Sequence, residues 1–422
     1  MHKPKTPPRP DPRAGARALL AAIRDGIDLD RAEAGLDLSP PDRARARRLA
    51  LTTLRFRGRA EAVLAPLLSR RPRPALMDAL QLAVTEMLAL GEAPHGVVNA
   101  TVTALRKGPP KLAAGAGMAN AVLRRASESQ AVWDAARPAP LPDWLRKPIG
   151  QTWGEAVVRA IESAHEAGAP LDLTPRPDAA PLPEGEMLPT GSLRITAPGQ
   201  VSALPGYAEG AWWVQDAAAA LPARLLDAQP GEKIADLCAA PGGKTLQLAA
   251  TGAQITAVDI APARIQRLAE NLARCQVTAK TITADALEWR PDTPLDAVLL
   301  DAPCSATGTI RRHPELPLLR DGSGIADLAT LQAKLIDHAL TLLRPSGRLV
   351  YATCSLLPME GEDQLTAALI RHPDLAIIPA NPEKLGIPSD WLTDQGAIRT
   401  RPDFWADRGG LDGFFIACLR RG

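Results

Sequence analysis

The stretch DLCAAPGGKT, Asp236 to Thr245, decides how the rest of the chain is read. Its Gly-Lys-Thr ending is that of a phosphate-binding loop, but such a loop needs glycine at its first position so that the backbone can wrap the phosphates. Cys238 stands there instead. The GxGxxG fingerprint of dinucleotide sites is absent as well. What remains is an apolar strand, an acidic residue, a loop of small residues (Cys238, Ala239, Ala240, Pro241, Gly242, Gly243), then Lys244 and the start of a helix. Backbone can approach a ligand closely at Ala239, Gly242 and Gly243, and helix N-terminal amides follow.

Downstream, KIADLCAA, QITAVDI, KTITADA, LDAVLLDAP and GRLVYATCS read as five strands. Helical patterns such as PARIQRLAENLARC and LATLQAKLIDHALTLLR separate them, and DGFFIACLRR reads as a further closing strand. This alternation predicts an α/β domain with a parallel, doubly wound sheet that binds ligands at the carboxyl ends of its strands. Asp236, Asp259, Asp285 and Asp301 fall at four successive strand ends. Asp259 lies roughly 20 residues past the loop, where a carboxylate takes both ribose hydroxyls of a nucleoside. Asp285 is placed to reach an adenine edge. A single strand-end Asp is commonly a loop cap, but four together repel a triphosphate and suit a nucleoside carrying positive charge. S-adenosylmethionine, with its sulfonium and ammonium groups, is such a molecule.

Five cysteines, Cys238, Cys275, Cys304, Cys354 and Cys418, form no CxxC pair, so no zinc or other metal site is expected and the thiols are read as reduced. A buried cysteine is commonly an inert small hydrophobe, and Cys275 and Cys418 are read so. Cys304, in DAPCSATGT, and Cys354, in YATCS, end the fourth and fifth strands and open into one cleft beside the methyl donor. That pairing points to covalent catalysis. C5 of a pyrimidine is too weak a nucleophile to take a methyl group unaided, but addition of a thiolate at C6 makes it enamine-like. One thiol suffices for attack and a second can assist release. Asp301 is a candidate to donate a proton or hydrogen bond to N3 of cytosine, and the base must leave its stack to reach the pocket.

The front of the chain is different in kind. ARALLAAI, RARARRLALTTLRFRG, ALMDALQLAVTEMLAL and GMANAVLRRA carry apolar residues at helical spacing, after a proline-rich start expected to be disordered. The segmentation expected is a helical domain over 1–135, a proline-rich linker over 136–148, a small α+β connecting subdomain over 149–206 and the α/β domain over 207–422. One helix, QTWGEAVVRAIESAHEAG, is expected in the connecting part. Residues 1–148 hold 25 Lys and Arg against 14 Asp and Glu; the remaining residues hold 24 against 33. A basic front on an acidic rear suits a polyanion-binding module, with Arg43, Arg45, Arg47 and Arg48 as candidate phosphate contacts. No apolar run reaches the roughly 18 residues of a membrane span and no signal peptide is seen, so a cytoplasmic protein with no membrane partner is expected.

The motifs DLCAAPGGKT, AVDI, LLDAPCSATGTIRRHPE, YATCS and DGFF closely resemble, in order, those of the Nol/Nop/Sun group of RNA cytosine-5 methyltransferases. Within that group the chain is most similar to bacterial members acting on 16S rRNA, and the helical front ending GMANAVLRR resembles the RNA-binding NusB fold. The resemblance implies a Rossmann-like class I methyltransferase domain behind an all-α NusB-like domain. It implies Cys354 as the nucleophile, Cys304 as an aid to release, and Cys238 to Lys244 around the methionine part of S-adenosylmethionine. It further implies Asp259 at the ribose, Asp285 at the adenine and Asp301 between donor and cytosine. RNA, above all 16S rRNA or a small-subunit assembly intermediate, is the implied partner, and a monomer is expected. Two segments depart from the pattern: ELPLLR follows RRHP where relatives carry IKW two residues on, and LDLTPRPD stands where many have an Arg-x-Asn element. The alternatives are the same chemistry on tRNA or 23S rRNA, or an RNA-binding assembly factor without turnover.

Overall fold

A computed structural model describes residues 11–196 and 199–422 and divides the chain into two compact units. The start of the proline-rich segment expected to be disordered, residues 1–10, lies outside the described residues. The first unit takes in the chain to Arg146 together with Val158–Gly168 and Arg312–Asp321. It is helical because its apolar residues recur on helical faces and its helix starts are capped. Asp11 and Ser39 accept amide hydrogen bonds at the first turns of Pro12–Arg24 and Pro40–Arg55, where prolines occupy positions whose N–H has no helical partner. Pro74–Leu88 is the central helix, buried along nearly its whole length. It carries Glu86 into the interior, where the Arg13 guanidinium binds it at 2.8 Å and offsets the cost of a buried carboxylate.

The helix expected over QTWGEAVVRAIESAHEAG is two helices, Asp143–Trp153 and Glu155–Ala167. Gly154 separates them with φ +83°, a left-handed conformation that costs glycine little. The first begins inside the proline-dense stretch and carries Pro148 within it.

The second unit comprises Lys147–Val157, Ala169–Arg311 and Gly322–Gly422. A small antiparallel sheet pairs β1 (Leu171–Pro175), β2 (Glu186–Met187), β3 (Leu193–Ile195) and β4 (Trp212–Val214) in the order β2-β3-β1-β4. The large sheet contains β5 (Lys233–Leu237), β6 (Gln254–Asp259), β7 (Lys280–Thr283), β8 (Leu295–Asp301), β9 (Leu343–Thr353), β10 (Leu375–Ile378), β11 (Ile398–Arg399) and β12 (Phe415–Arg421). Its order is β10-β12-β9-β8-β5-β6-β7, with β11 beside β12. β7, β6, β5, β8 and β9 are parallel, and β12 closes the sheet antiparallel to β9. β5 and β8 are nearly continuous buried apolar runs, as parallel strands covered on both faces must be. This is the Rossmann-like methyltransferase architecture expected from the sequence. The order reverses between β5 and β8, so the crevice beyond their carboxyl ends is where a ligand fits. Among the described residues, no helix is long and apolar enough to cross a membrane.

Candidate active site

The chain leaves β5 through a tight loop. Cys238 has φ +59° and Gly242 φ +106°. A side chain at 242 would begin 2.9 Å from Leu268 Cγ, so the loop closes only with glycine there. The Ala240 amide donates to Asp259 Oδ2 at 3.1 Å, and the Ala261 amide donates to Asp259 Oδ1 at 3.0 Å. Asp259, nearly fully buried, thus braces the glycine loop against the start of helix Pro262–Arg274. Arg264 reaches Asp259 at 3.4 Å and donates to the Ala240 carbonyl.

Asp236 is wholly buried and accepts from Thr245 Oγ1 at 2.5 Å, while its other oxygen has no partner among the described residues. Burial pushes its pKa up to about 7, with Asp301 adding to the shift against the Thr245 hydrogen bond. Cys238 is raised to about 12 by burial and by the nearby Asp301, Asp259 and Asp236, so it is a neutral thiol. Lys244 is an ammonium: burial opposes its charge, but Asp301, 2.7 Å away, and Asp236 outweigh burial and hold its pKa above the usual lysine value. The same Nζ lies 5.3 Å from the centre of the Phe414 ring. The result is a pocket floor with three acids, Asp236, Asp259 and Asp301, two cations, Lys244 and Arg264, and one Asp236 oxygen without a partner among the described residues.

Beside it stand the two cysteines. β8 and β9 pair in parallel with Asp301 opposite Ala352, and the Ala302 amide continues the ladder to the Ala352 carbonyl at 2.9 Å. The register carries the two strand-end turns forward together, and Cys304 Sγ comes to 3.5 Å from Cys354 Sγ. The Gly308 amide donates to the Cys354 carbonyl at 2.9 Å. A side chain at 308 would fall 1.9 Å from the Gly413 carbonyl oxygen, so the DGFF loop can lie against this turn only because both positions are glycine. Hydrogen bonding to Cys354, burial and the nearby Glu360 carboxylate raise the Cys304 pKa well above that of a free thiol.

Glu360 was not found from the sequence. Fully buried, it accepts from the Ser305 amide at 2.8 Å, the Ser355 hydroxyl at 2.6 Å, the Ser305 hydroxyl, and Gln332 Nε2 at 3.1 Å. Ser305 follows Cys304 and Ser355 follows Cys354, so one carboxylate ties together the two turns that carry the thiols. The only local signal is an acid inside the apolar turn SLLPMEGED.

Of the residues singled out from sequence, the structure gathers the Cys238–Lys244 loop, Asp236, Asp259, Asp301, Cys304 and Cys354 at one edge of the sheet. Asp285 stands two residues past β7, half-buried, and accepts from the Leu287 amide at 2.8 Å. Cys275 and Cys418 are buried apolar thiols away from this edge. Among the described residues, no group of three or more His, Cys, Asp or Glu is placed to hold a metal ion.

Known proteins similar to the chain show which family it belongs to. The 16S rRNA methyltransferase RsmB/F family model matches residues 223–420, and the NusB family model matches residues 18–128. The chain is 35% identical to a ribosomal RNA small subunit methyltransferase B of Pseudomonas syringae pv. tomato, over 97% of this chain and 96% of that protein. It is 36% identical to the protein of the same name from Xanthomonas campestris pv. campestris, over 96% of each. The crystal structure of a methyltransferase homolog from Pyrococcus horikoshii, 29% identical, superposes with a TM-score of 0.55 over 65% of this chain and 94% of that one. The crystal structure of PH0851, 24% identical, shares the fold with a TM-score of 0.70 over 98% and 99% of the two chains. The chain belongs to the 16S rRNA methyltransferase RsmB/F family.

Proposed function

We propose that this protein transfers a methyl group from S-adenosylmethionine to C5 of a cytosine in 16S rRNA, through a covalent bond between Cys354 and C6 of the base. The observation that carries the proposal is the pair of thiols 3.5 Å apart at the ends of adjacent strands, next to the Lys244–Asp301 pair. Relatives named for methylation of small-subunit ribosomal RNA support the choice of substrate.

The pocket fits the donor. The buried oxygen of Asp236, without a partner among the described residues and on an acid that titrates at about 7, can ionise against a positively charged ligand, and the Cys238–Lys244 loop presents small residues and backbone for close approach. Asp259 is assigned to the ribose and Asp285 to the adenine. When bound, S-adenosylmethionine supplies an electrophilic methyl group on its sulfonium. Cys354 adds as a thiolate to C6 of the flipped cytosine, and the electron pair displaced onto C5 bonds to the methyl carbon as the carbon–sulfur bond breaks, its pair staying on sulfur as a neutral thioether. Loss of the C5 proton then restores the double bond and expels the Cys354 sulfur. Cys304, within contact of that sulfur, assists this release. With Lys244 at 2.7 Å, Asp301 is a hydrogen-bond acceptor, suited to the exocyclic amino group of cytosine. The donor role toward N3 considered from sequence requires Lys244 to pass Asp301 a proton.

The test is incubation with radiolabelled S-adenosylmethionine and, separately, unmodified 16S rRNA, 23S rRNA and tRNA, followed by digestion to nucleosides. Label in 5-methylcytidine from 16S rRNA alone is the expected result. Label in another nucleoside refutes the chemistry, and label only in tRNA or 23S rRNA refutes the substrate.

A further inference from the structure

The arginines that the sequence singled out in the helical unit are mostly engaged there. Arg43 donates to the Leu36 and Leu38 carbonyls at 3.2 and 3.3 Å, Arg45 pairs with Glu92 at 3.3 Å, and Arg47 binds Asp30 at 2.8 Å and Glu33. Arg57 is different. Its guanidinium makes no hydrogen bond or ion pair among the described residues, although burial is deep enough to lower its pKa, against the pull of Glu61 and with help from Arg71. Glu61, the acid closest to it in charge, is taken by Arg71 at 2.6 Å.

Arg57 and Arg71 together line two cavities, of about 490 and 440 Å³. Arg137 joins the wall of the second and has no partner among the described residues. Gly58 brings it there: a side chain at 58 would begin 2.4 Å from the Ala139 amide nitrogen, so only glycine lets the Pro138–Ala139 backbone lie against helix Arg57–Leu64. Glu61 lines the same cavity but is paired with Arg71, so three guanidiniums face one carboxylate there, and residues 1–10 and 197–198, outside the described set, contain no Asp or Glu. An uncompensated guanidinium withdrawn from water is costly, and a bound anion removes that cost. Arg70, Arg71 and Arg73 are exposed on the adjoining Ser69–Pro74 loop and continue the positive surface. A charged track leading out of a cavity fits a polymer of phosphates better than a single small anion. The planar guanidinium fork is also matched to phosphate oxygens.

We infer that the cavity walled by Arg57, Arg71 and Arg137 is a phosphodiester-binding site that seats the backbone of the RNA substrate on the helical unit. The inference rests on the RNA substrate proposed above and adds to it the residues that hold the chain.

The test uses the full-length protein and a 16S rRNA transcript without methyl donor, with affinity measured by filter binding over a range of potassium chloride concentrations. Arg57→Gln is expected to weaken binding about tenfold and to reduce the slope of log affinity against log salt by about one, as loss of one phosphate contact does. Arg57→Lys restores the slope. Arg47→Gln, whose guanidinium is committed to two acids, leaves the slope unchanged. The Arg57→Gln protein keeps its thermal unfolding midpoint and, in turnover with donor, shows a raised KM at unchanged kcat. An unchanged salt slope in Arg57→Gln, with wild type binding normally, overturns the inference and leaves the proposed activity standing. A slope that falls only because the variant unfolds, or a fall that lysine does not rescue, also overturns it. Failure of wild type to bind or methylate 16S rRNA overturns the substrate reading itself.

Discussion

Replacing Glu360 tests whether the two thiols are held by one buried charge. Its carboxylate accepts from four donors, and the two serines it binds are the immediate neighbours of Cys304 and Cys354. In Glu360→Gln the amide oxygen can still serve the Ser305 amide and Gln332 while the NH₂ group faces hydroxyls able to accept. The loss is then charge assistance on four bonds, about 2 kcal/mol after the relief of a buried charge is allowed for. In Glu360→Ala the two hydroxyls can turn to each other, 3.1 Å apart, but the Ser305 amide is orphaned and a cavity opens. That change is expected to cost about 4 kcal/mol. Urea unfolding of the donor-free protein measures both. Turnover follows the same order, with kcat falling more than KM, because what is lost is the placement of the thiols and not contact with substrate. Glu360 also helps to raise the Cys304 pKa, so the glutamine variant should react faster with iodoacetamide at Cys304 near pH 8. If glutamine and alanine variants match wild type in stability and kcat, the two turns are held by something else and the reasoning fails.

Three further outcomes follow from buried charge. Arg311, fully buried, binds Asp216 and Asp412 at 2.7 Å each, so Arg311→Ala takes a buried cation from two buried acids and should lower unfolding stability by about 3–5 kcal/mol; a loss within error of zero contradicts the burial. Asp236 holds its proton up to about pH 7 when folded, against about 3.9 in an unfolded chain. The raised value makes its contribution to donor-free stability complete at low pH and lost as pH rises through about 7, with a slope of up to about 1.4 kcal/mol per unit. Asp236→Asn should flatten that dependence in urea midpoints between about pH 4 and 7, and a profile unchanged from wild type rules Asp236 out as its source. Lys244→Met removes the cation that pairs with Asp301 among the described residues, so donor affinity measured by calorimetry should differ from wild type; equal affinities would contradict a part for that pair in the pocket.

The sequence made the α/β sheet legible because its signals are local. Apolar runs mark β5, β8 and β9, and Asp236, Asp259 and Asp301 stand where those runs or their neighbour end. The thiol pair was legible for the same reason, since Cys304 and Cys354 each follow a strand end. Glu360 was not, because its partner Ser305 lies 55 residues away and is reached only when the turn after β9 folds back. β10 was missed because Leu375–Ile378 is four residues long and pairs only at the sheet edge. The division of labour among the arginines was hidden too. Sequence shows the surplus of charge, but only packing shows that Arg47 is committed to Asp30 and Glu33 while Arg57 makes no ion pair among the described residues.

The central claim is the covalent, two-thiol route to C5, and trapping the intermediate tests it most directly. Cys304→Ala, incubated with 16S rRNA and S-adenosylmethionine and run on a denaturing gel, should accumulate protein–RNA adduct, because attack by Cys354 proceeds while release fails. The Cys304→Ala, Cys354→Ala double variant should show none. An adduct that persists without Cys354, or a Cys304→Ala protein that turns over normally with no shifted band, would contradict the roles assigned here.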